Sequence, residues 1–128
     1  LAIANEVALK FKETSAMHAE SYSAAEVMHG PKAIVGKDFP VLVLAARDAA
    51  EDSIVQAADR LAEQEAAVFL TSAKPSKATA LPFIATSHPL TDPLTLLVSF
   101  YAFVEDFARS RGLNPDEPPH LRKVTETI

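Results

Sequence analysis

Two residues near the start of the chain have the types and the spacing of a proton-transfer pair. Lys10 and Glu13 lie three residues apart in a segment with helical periodicity, so their side chains fall on neighbouring turns. A carboxylate held beside a lysine and partly removed from water can carry a proton during catalysis. An ordinary solvated ion pair is the alternative, and the spacing alone favours that interpretation.

Two further residues could take part in acid–base or covalent chemistry. His29 directly precedes Gly30-Pro31, and a histidine at a helix end is easily tuned for proton transfer, although such a position is more often a cap or plain surface. Lys123 lies in a proline-stiffened tail. A lysine drawn into an apolar pocket can attack a carbonyl as a free amine, whereas a solvated terminus is the ordinary alternative.

Composition excludes several classes of protein. The chain has 128 residues, which predicts one domain, and its 48% hydrophobic content excludes disorder throughout. With 12 Lys and Arg against 17 Asp and Glu, the net charge of −5 argues against nucleic-acid or anionic-membrane partners. Cysteine is absent, so disulfide scaffolds and thiolate metal sites are excluded. No apolar run approaches the roughly 20 residues of a membrane helix.

The familiar short motifs of cofactor and metal enzymes are missing from the sequence. There is no GxGxxG, P-loop, HExxH or GxSxG pattern. His18-Ala19-Glu20 fits half of a zinc-deaminase signature, but the cysteine half cannot exist here. His18 and His29 lie eleven residues apart, but a metal site built on them has no obvious third ligand. We therefore expect no metal and no cofactor.

The element that carries Lys10 and Glu13 reads as an amphipathic helix over residues 1–15. Ile3, Val7 and Phe11 recur every four residues and predict its buried face. Residues 16–29 can form a second, shorter helix, which Gly30-Pro31 would end.

The middle of the chain has the pattern of a βαβ unit. Pro40–Ala46 and Ala67–Thr71 are short apolar runs typical of buried parallel strands. Between them, Asp48 and Glu51 resemble a capping box that opens a helix running to about Glu65. Two parallel strands joined by a helix need about thirty residues, which is the length available here.

A third strand and a long helix complete the predicted core. Leu81–Thr86 reads as a short edge strand, because proline is tolerated there. Asp92 and Pro93 look like an N-cap followed by proline at the first helical position. The helix should continue to Arg111, with four residues lining its buried face: Leu97, Phe100, Val104 and Phe107.

These elements predict an α/β fold with a doubly wound, mostly parallel sheet and helices on both faces. We expect residues 1–112 to form the domain and residues 113–128, with their three prolines, to form a tail. The chain starts inside a helical pattern without an initiator Met or a cap. We therefore expect a C-terminal fragment that lacks at least one upstream strand.

Two stretches resemble a known family. Residues 8–31 (ALKFKETSAMHAESYSAAEVMHGP) closely resemble the second sugar-isomerase (SIS) subdomain of glucosamine-6-phosphate synthases. Residues 112–128 (GLNPDEPPHLRKVTETI) look like the end of the same family. The KVTET ending is closer to relatives without a glutaminase domain, namely aminosugar-phosphate deaminases and phosphosugar isomerases.

The resemblance implies an SIS fold and a role for each candidate residue. Glu13 matches the glutamate that moves a proton between C1 and C2 of an open-chain sugar phosphate, and Lys10 matches the lysine that assists at the C1 hydroxyl. His29 matches a ring-opening histidine that the family supplies from a neighbouring subunit. Lys123 matches the tail lysine that forms a Schiff base with the ketose.

The resemblance further implies a cytoplasmic homodimer acting on hexose or hexosamine 6-phosphates, by ketose–aldose isomerisation or by deamination of glucosamine 6-phosphate. A regulatory SIS domain that binds sugar phosphate without catalysis is one alternative, and a dimerisation module is another. The family's phosphate-binding loop belongs to a first SIS subdomain that this sequence lacks. We therefore expect residues 1–128 alone to be inactive.

Overall fold

The computed structural model describes residues 1–121 and confirms the α/β class. These residues form four α-helices and three strands, and short 3-10 turns at Pro31–Ile34 and Pro89–Thr91 precede β1 and α4. The elements are α1 (Ala2–Ser15), α2 (Ala24–Met28), β1 (Pro40–Val43), α3 (Glu51–Ala62), β2 (Ala67–Leu70), β3 (Thr79–Ala80) and α4 (Asp92–Ser110).

The three strands form one parallel sheet in the order β1-β2-β3. Pro40 pairs with Ala67 at one end of the β1–β2 ladder, and Val43 pairs with Leu70 at the other. Strand β3 is only two residues long and pairs with the end of β2. The β1-α3-β2 segment is therefore the predicted parallel βαβ unit.

Alternate side chains of the strands enter two separate cores, because successive residues of a strand point to opposite faces of the sheet. Val41 and Val43 of β1 pack with Val68 and Leu70 of β2 against the buried side of α3. On the other face, Leu42 and Leu44 pack against α1 and α4. Helices on both faces confirm the doubly wound arrangement.

An aromatic cluster fixes α1 against α4. The ring of Phe11 meets three rings of α4 edge-on, with centroids 5.2 Å away for Phe100, 6.3 Å for Phe103 and 5.8 Å for Phe107. Edge-to-face contacts of this kind add to the stabilisation from burial. Because Phe11 adjoins Lys10, this packing fixes the helix turn that carries the candidate site.

The predicted second helix is shorter than expected. Only Ala24–Met28 is helical, and the preceding residues 16–23 are irregular. Ala16 ends α1 in the left-handed conformation, with φ 48°, and the Ala16 and Met17 N–H groups both donate to the Phe11 carbonyl. The helix restarts only where Ser23 and Glu26 form a reciprocal capping box.

The predicted third strand at Leu81–Thr86 is wrong, since the strand is Thr79–Ala80 and residues 81–86 are irregular. Leu81 N still donates to the Leu70 carbonyl at 2.8 Å. The next residue, Pro82, has no N–H and cannot extend the ladder. The proline therefore ends the strand that it was expected to join.

Both predicted helix N-caps are wrong in detail. Asp48 accepts a hydrogen bond from Ala50 N in the turn before α3, and the Glu51 carboxylate is buried against the Ser72 hydroxyl instead of completing a capping box. Helix α3 ends at Ala62 and not near Glu65. Asp92 is the first residue of α4, not its cap, and its carboxylate turns inward.

The buried stripe of α4 differs slightly from the prediction. Leu97 and Phe107 are only half-buried, and the fully buried residues recur every four positions: Leu96, Phe100, Val104 and Ala108. The helix ends at Ser110, followed by Gly112 with φ 75°. Residues 113–121 contain no helix or strand, as predicted, and Lys123 lies outside the described residues. Within residues 1–121, no helix combines the length and the apolarity needed to cross a membrane.

Candidate active site

Helix α1 brings Lys10 and Glu13 together on its outward-facing side. Val7 and Ala8 are buried, and Phe11 packs into the same core, so the opposite side of the helix carries the polar residues. Lys10 Nζ lies 2.6 Å from Glu13 Oε2. The two side chains keep 28% and 32% of their exposure, which leaves both within reach of a ligand.

The contact fixes the charge state of the lysine. The hydrogen bond to Glu13 raises the pKa of Lys10 above its ordinary value, against a smaller opposing effect of burial. Lys10 is therefore an ammonium at neutral pH, which can donate hydrogen bonds and stabilise negative charge but cannot act as a nucleophilic amine.

Two residues that were not predicted as site residues extend this pair into a network. Tyr101 of α4 donates its hydroxyl hydrogen to Glu6 Oε1 at 2.9 Å, and the same oxygen lies 3.5 Å from Lys10 Nζ. The spacing of Glu6 four residues before Lys10 was a usable signal. Tyr101 had none, because it is 95 residues from Glu6 and meets it only through the packing of α4 on α1.

A shallow cleft of about 280 Å³ borders this network. Its walls come from α1, α4 and the segment after α4, and include Lys10, Thr14, Tyr101, Glu105, Pro115 and Asp116. The cleft thus joins the N-terminal helix to the first part of the predicted tail. Most of its charged groups are carboxylates, so its surroundings suit hydroxyl-bearing or amine-bearing ligand atoms better than a phosphate.

His29 is not part of this cluster. It is an exposed residue at the C-terminal end of α2. Its neighbour Met28 packs on the α3 side of the sheet, whereas α1 packs on the other side. Of the four predicted site residues, the structure brings together Lys10 and Glu13, separates His29 from them within one chain, and does not describe Lys123.

A second polar cluster lies beyond the carboxyl end of β1. Arg47 donates from Nε and Nη2 to the two carboxylate oxygens of Asp92, at 2.8 and 3.0 Å. Thr86 adds its backbone N–H and its hydroxyl to Asp92 Oδ1. These bonds hold the pKa of Asp92 far below its ordinary value, with the Arg47 hydrogen bonds as the largest cause. The cluster ties the start of α4 to the loop after β1.

A third group of charges covers the start of α3. The buried Glu51 accepts a hydrogen bond from the Ser72 hydroxyl, and Lys74 bridges Glu51 and Asp52. Across residues 1–121, no three histidine, aspartate or glutamate side chains come close enough together to hold a metal ion.

Comparison with protein families and with characterised sequences gives a consistent result. The SIS domain model matches residues 1–104. The glutamine–fructose-6-phosphate aminotransferase (isomerizing) of Aquifex aeolicus is 31% identical over 127 residues, which cover 95% of this chain and 22% of that protein. The chain spans about a fifth of the length of the curated relatives that it matches.

Solved structures agree with this result. A protein of Silicibacter pomeroyi described as a phosphosugar isomerase is 54% identical, with a TM-score of 0.84 over 90% of this chain and 35% of that one. The glucosamine-6-phosphate deaminase of Thermotoga maritima is 27% identical, with a TM-score of 0.70 over 94% of this chain and 35% of that one.

Proposed function

The chain belongs to the SIS domain family, and we propose that it supplies part of the active site of an enzyme that acts on hexose or hexosamine 6-phosphates. The reaction would be ketose–aldose isomerisation or deamination of glucosamine 6-phosphate, since each needs a proton moved between C1 and C2. In this proposal residues 1–112 are the C-terminal SIS subdomain, and residues 113–128 are a tail that contributes to the site.

The observation that carries the proposal is the contact of Glu13 with Lys10, which lines the cleft. Glu13 is partly exposed, so its carboxylate can receive a proton from a bound sugar and return it to the neighbouring carbon. Lys10 is held as an ammonium and can stabilise the negative charge that develops on the substrate oxygen. The two side chains thus have complementary roles.

The charge of Lys10 also explains why a second lysine is needed. A Schiff base forms when an uncharged amine attacks the ketose carbonyl and water leaves, and the imine then acidifies the adjacent C–H. We assign that role to Lys123. The assignment is supported by Pro115 and Asp116, which border the same cleft as Lys10, because the tail that carries Lys123 thereby starts beside the candidate site.

His29 fits a role in opening the sugar ring in the site of a neighbouring subunit. It is exposed, and its helix packs on the other side of the sheet from α1. A homodimer could bring it to the Lys10–Glu13 pair of the partner, which a single chain does not do.

The test of the proposal is the Glu13→Gln variant of the native protein, assayed with fructose 6-phosphate and glucosamine 6-phosphate. Loss of a general acid–base should lower kcat by a factor of about 10² to 10⁴. Glu63→Gln is a matched control, because Glu63 is likewise a glutamate paired with a lysine, Lys77, but lies outside the cleft. Sugar-phosphate binding without turnover in the wild-type protein would instead support the regulatory alternative.

The role of His29 is tested by mixing subunits. His29→Asn and Glu13→Gln should each be inactive alone, whereas dimers containing one copy of each should regain activity at one intact site. If the mixed dimers stay inactive while both variants still dimerise, His29 does not act across the interface.

A further inference from the structure

We propose that Tyr101 is a positioning residue that holds Glu6 away from Lys10 and so keeps Lys10 paired with Glu13. The inference rests on the proposed function, in which that pair handles the proton. It concerns a side chain of α4, a helix that contributes none of the four predicted site residues.

The geometry sets two carboxylates in competition for one ammonium. Glu6 and Glu13 both lie on α1 within one turn of Lys10, at spacings of four and three residues. Their oxygens are not equally close: Lys10 Nζ is 2.6 Å from Glu13 Oε2 but 3.5 Å from Glu6 Oε1. Glu13 is therefore the closer partner of Lys10, and Glu6 is the more distant one.

Tyr101 restrains Glu6 from outside the helix. Its hydroxyl donates to Glu6 Oε1 at 2.9 Å, the oxygen that faces Lys10. The carboxylate is thereby drawn toward α4, and it engages Lys10 less closely than Glu13 does. Glu6 already forms a long i,i+4 ion pair with Lys10, at 3.5 Å, and without the Tyr101 hydrogen bond its carboxylate would be free to approach the ammonium more closely.

The hydroxyl, and not the ring, is the part of Tyr101 that matters. The Tyr101 side chain is 41% exposed, so its ring fills little of the core between α1 and α4. The hydrogen bond to Glu6 also raises the pKa of Tyr101, which keeps the hydroxyl protonated as a donor at neutral pH. A phenylalanine at this position would keep the ring contacts and lose only the restraint.

The contact is tested by following each tyrosine separately in the native protein with ring-13C-tyrosine labelling and NMR. Glu6→Gln removes the carboxylate charge and should lower the pKa of Tyr101 toward the ordinary tyrosine value of about 10. The pKa of Tyr22 should not change. Tyr22 provides the matched control, since its hydroxyl bonds to Glu20 and its pKa should respond to Glu20→Gln instead. An unchanged Tyr101 pKa in Glu6→Gln would overturn the inference.

The positioning role is tested by kinetics. Tyr101→Phe should lower kcat about tenfold while leaving KM and Tm unchanged, because Glu6 then competes with Glu13 for Lys10. In a Glu6→Ala background the competitor is gone, so the same substitution should have no further effect on kcat. Equal effects in both backgrounds would contradict the inference.

The two experiments separate this inference from the proposed function. If Glu13→Gln leaves turnover intact, the proposed function fails whatever Tyr101 does. If Glu13→Gln abolishes turnover but Tyr101→Phe has no effect on kcat, only the positioning role fails.

Discussion

Two clusters of charged residues in this chain differ in their exposure to solvent and in how far apart their members lie in the sequence. In the first, Lys10, Glu6 and Glu13 lie along one helix, and the Lys10 and Glu13 side chains stay about one-third exposed. In the second, Arg47 and Asp92 come from segments 45 residues apart, and Asp92 is 1% exposed. Both contain an ion pair, but in the second the two paired charges come from separate parts of the fold.

The difference separates a cluster that stabilises the fold from one that is free to react. Asp92 receives four hydrogen bonds, two from Arg47 and two from Thr86, so its oxygens have little capacity left for a ligand. Within residues 1–121, Glu13 receives one hydrogen bond, from Lys10, and it borders solvent. A half-satisfied, accessible carboxylate is the better candidate for proton transfer, although its ion pair contributes little to stability.

The largest effect should follow from breaking the Arg47–Asp92 pair. Arg47→Ala leaves the buried Asp92 carboxylate without its main partner, which is far more costly than losing a surface pair. We expect Tm to fall by roughly 10 °C, measured by calorimetry.

Arg47→Lys is the matched control for this substitution. It keeps the charge but loses the two parallel N–H donors, so Tm should fall by less than in Arg47→Ala but should still fall below that of wild type. Arg60→Ala, at an exposed arginine, gives the comparison. If Arg47→Ala lowers Tm no more than Arg60→Ala does, the contrast between the two clusters disappears.

A smaller effect should appear as a pH dependence of stability. The folded-state pKa of Asp92 is depressed below the unfolded value of about 3.9, so Asp92 stabilises the fold above that pH and loses this contribution as the pH falls. The difference in the free energy of unfolding between wild type and Asp92→Asn should therefore be largest near neutral pH.

This difference should shrink below about pH 4, as measured by denaturant unfolding at several pH values. The pKa of Asp59 is also lowered, by hydrogen bonds from the Ser76 hydroxyl and the Lys77 N–H. The difference in the free energy of unfolding between wild type and Asp59→Asn should therefore also shrink as the pH falls. A difference for Asp92→Asn that stays constant from pH 7 to acid would contradict the assignment.

The two clusters also differ in how far the sequence predicts them. Lys10 and Glu13 are local, and helical periodicity alone places them on neighbouring turns, as the structure confirms. Arg47 and Asp92 meet only because β1 and the start of α4 are brought together by the sheet, which no short-range pattern encodes. For the same reason, the sequence did not predict Tyr101 as a site residue, because its partner Glu6 lies near the other end of the chain.

The errors in the fold prediction have a related cause. The helix predicted over residues 16–29 has suitable residues throughout, but the left-handed Ala16 ends α1 and the chain is irregular until the Ser23 capping box. Asp48 and Glu51 have the spacing of a capping box, yet burial against Ser72 takes the glutamate elsewhere. Local patterns predicted which elements exist, and tertiary contacts decided where they begin and end.

The smallest effect, and the sharpest test of the comparison, concerns Lys10. Lys10→Met keeps the aliphatic stem and removes the ammonium, and because the ion pair is partly exposed the loss of stability should be at most about 0.5 kcal/mol. Added salt should reduce even that difference, since exposed charges are screened, whereas the Tm loss of Arg47→Ala should change little between low and high salt. Activity should not follow stability. Lys10→Met should abolish turnover of sugar phosphate in a protein that is almost as stable as wild type. If Lys10→Met destabilises the fold as much as Arg47→Ala does, Lys10 is a structural residue and the first cluster is not specialised for chemistry.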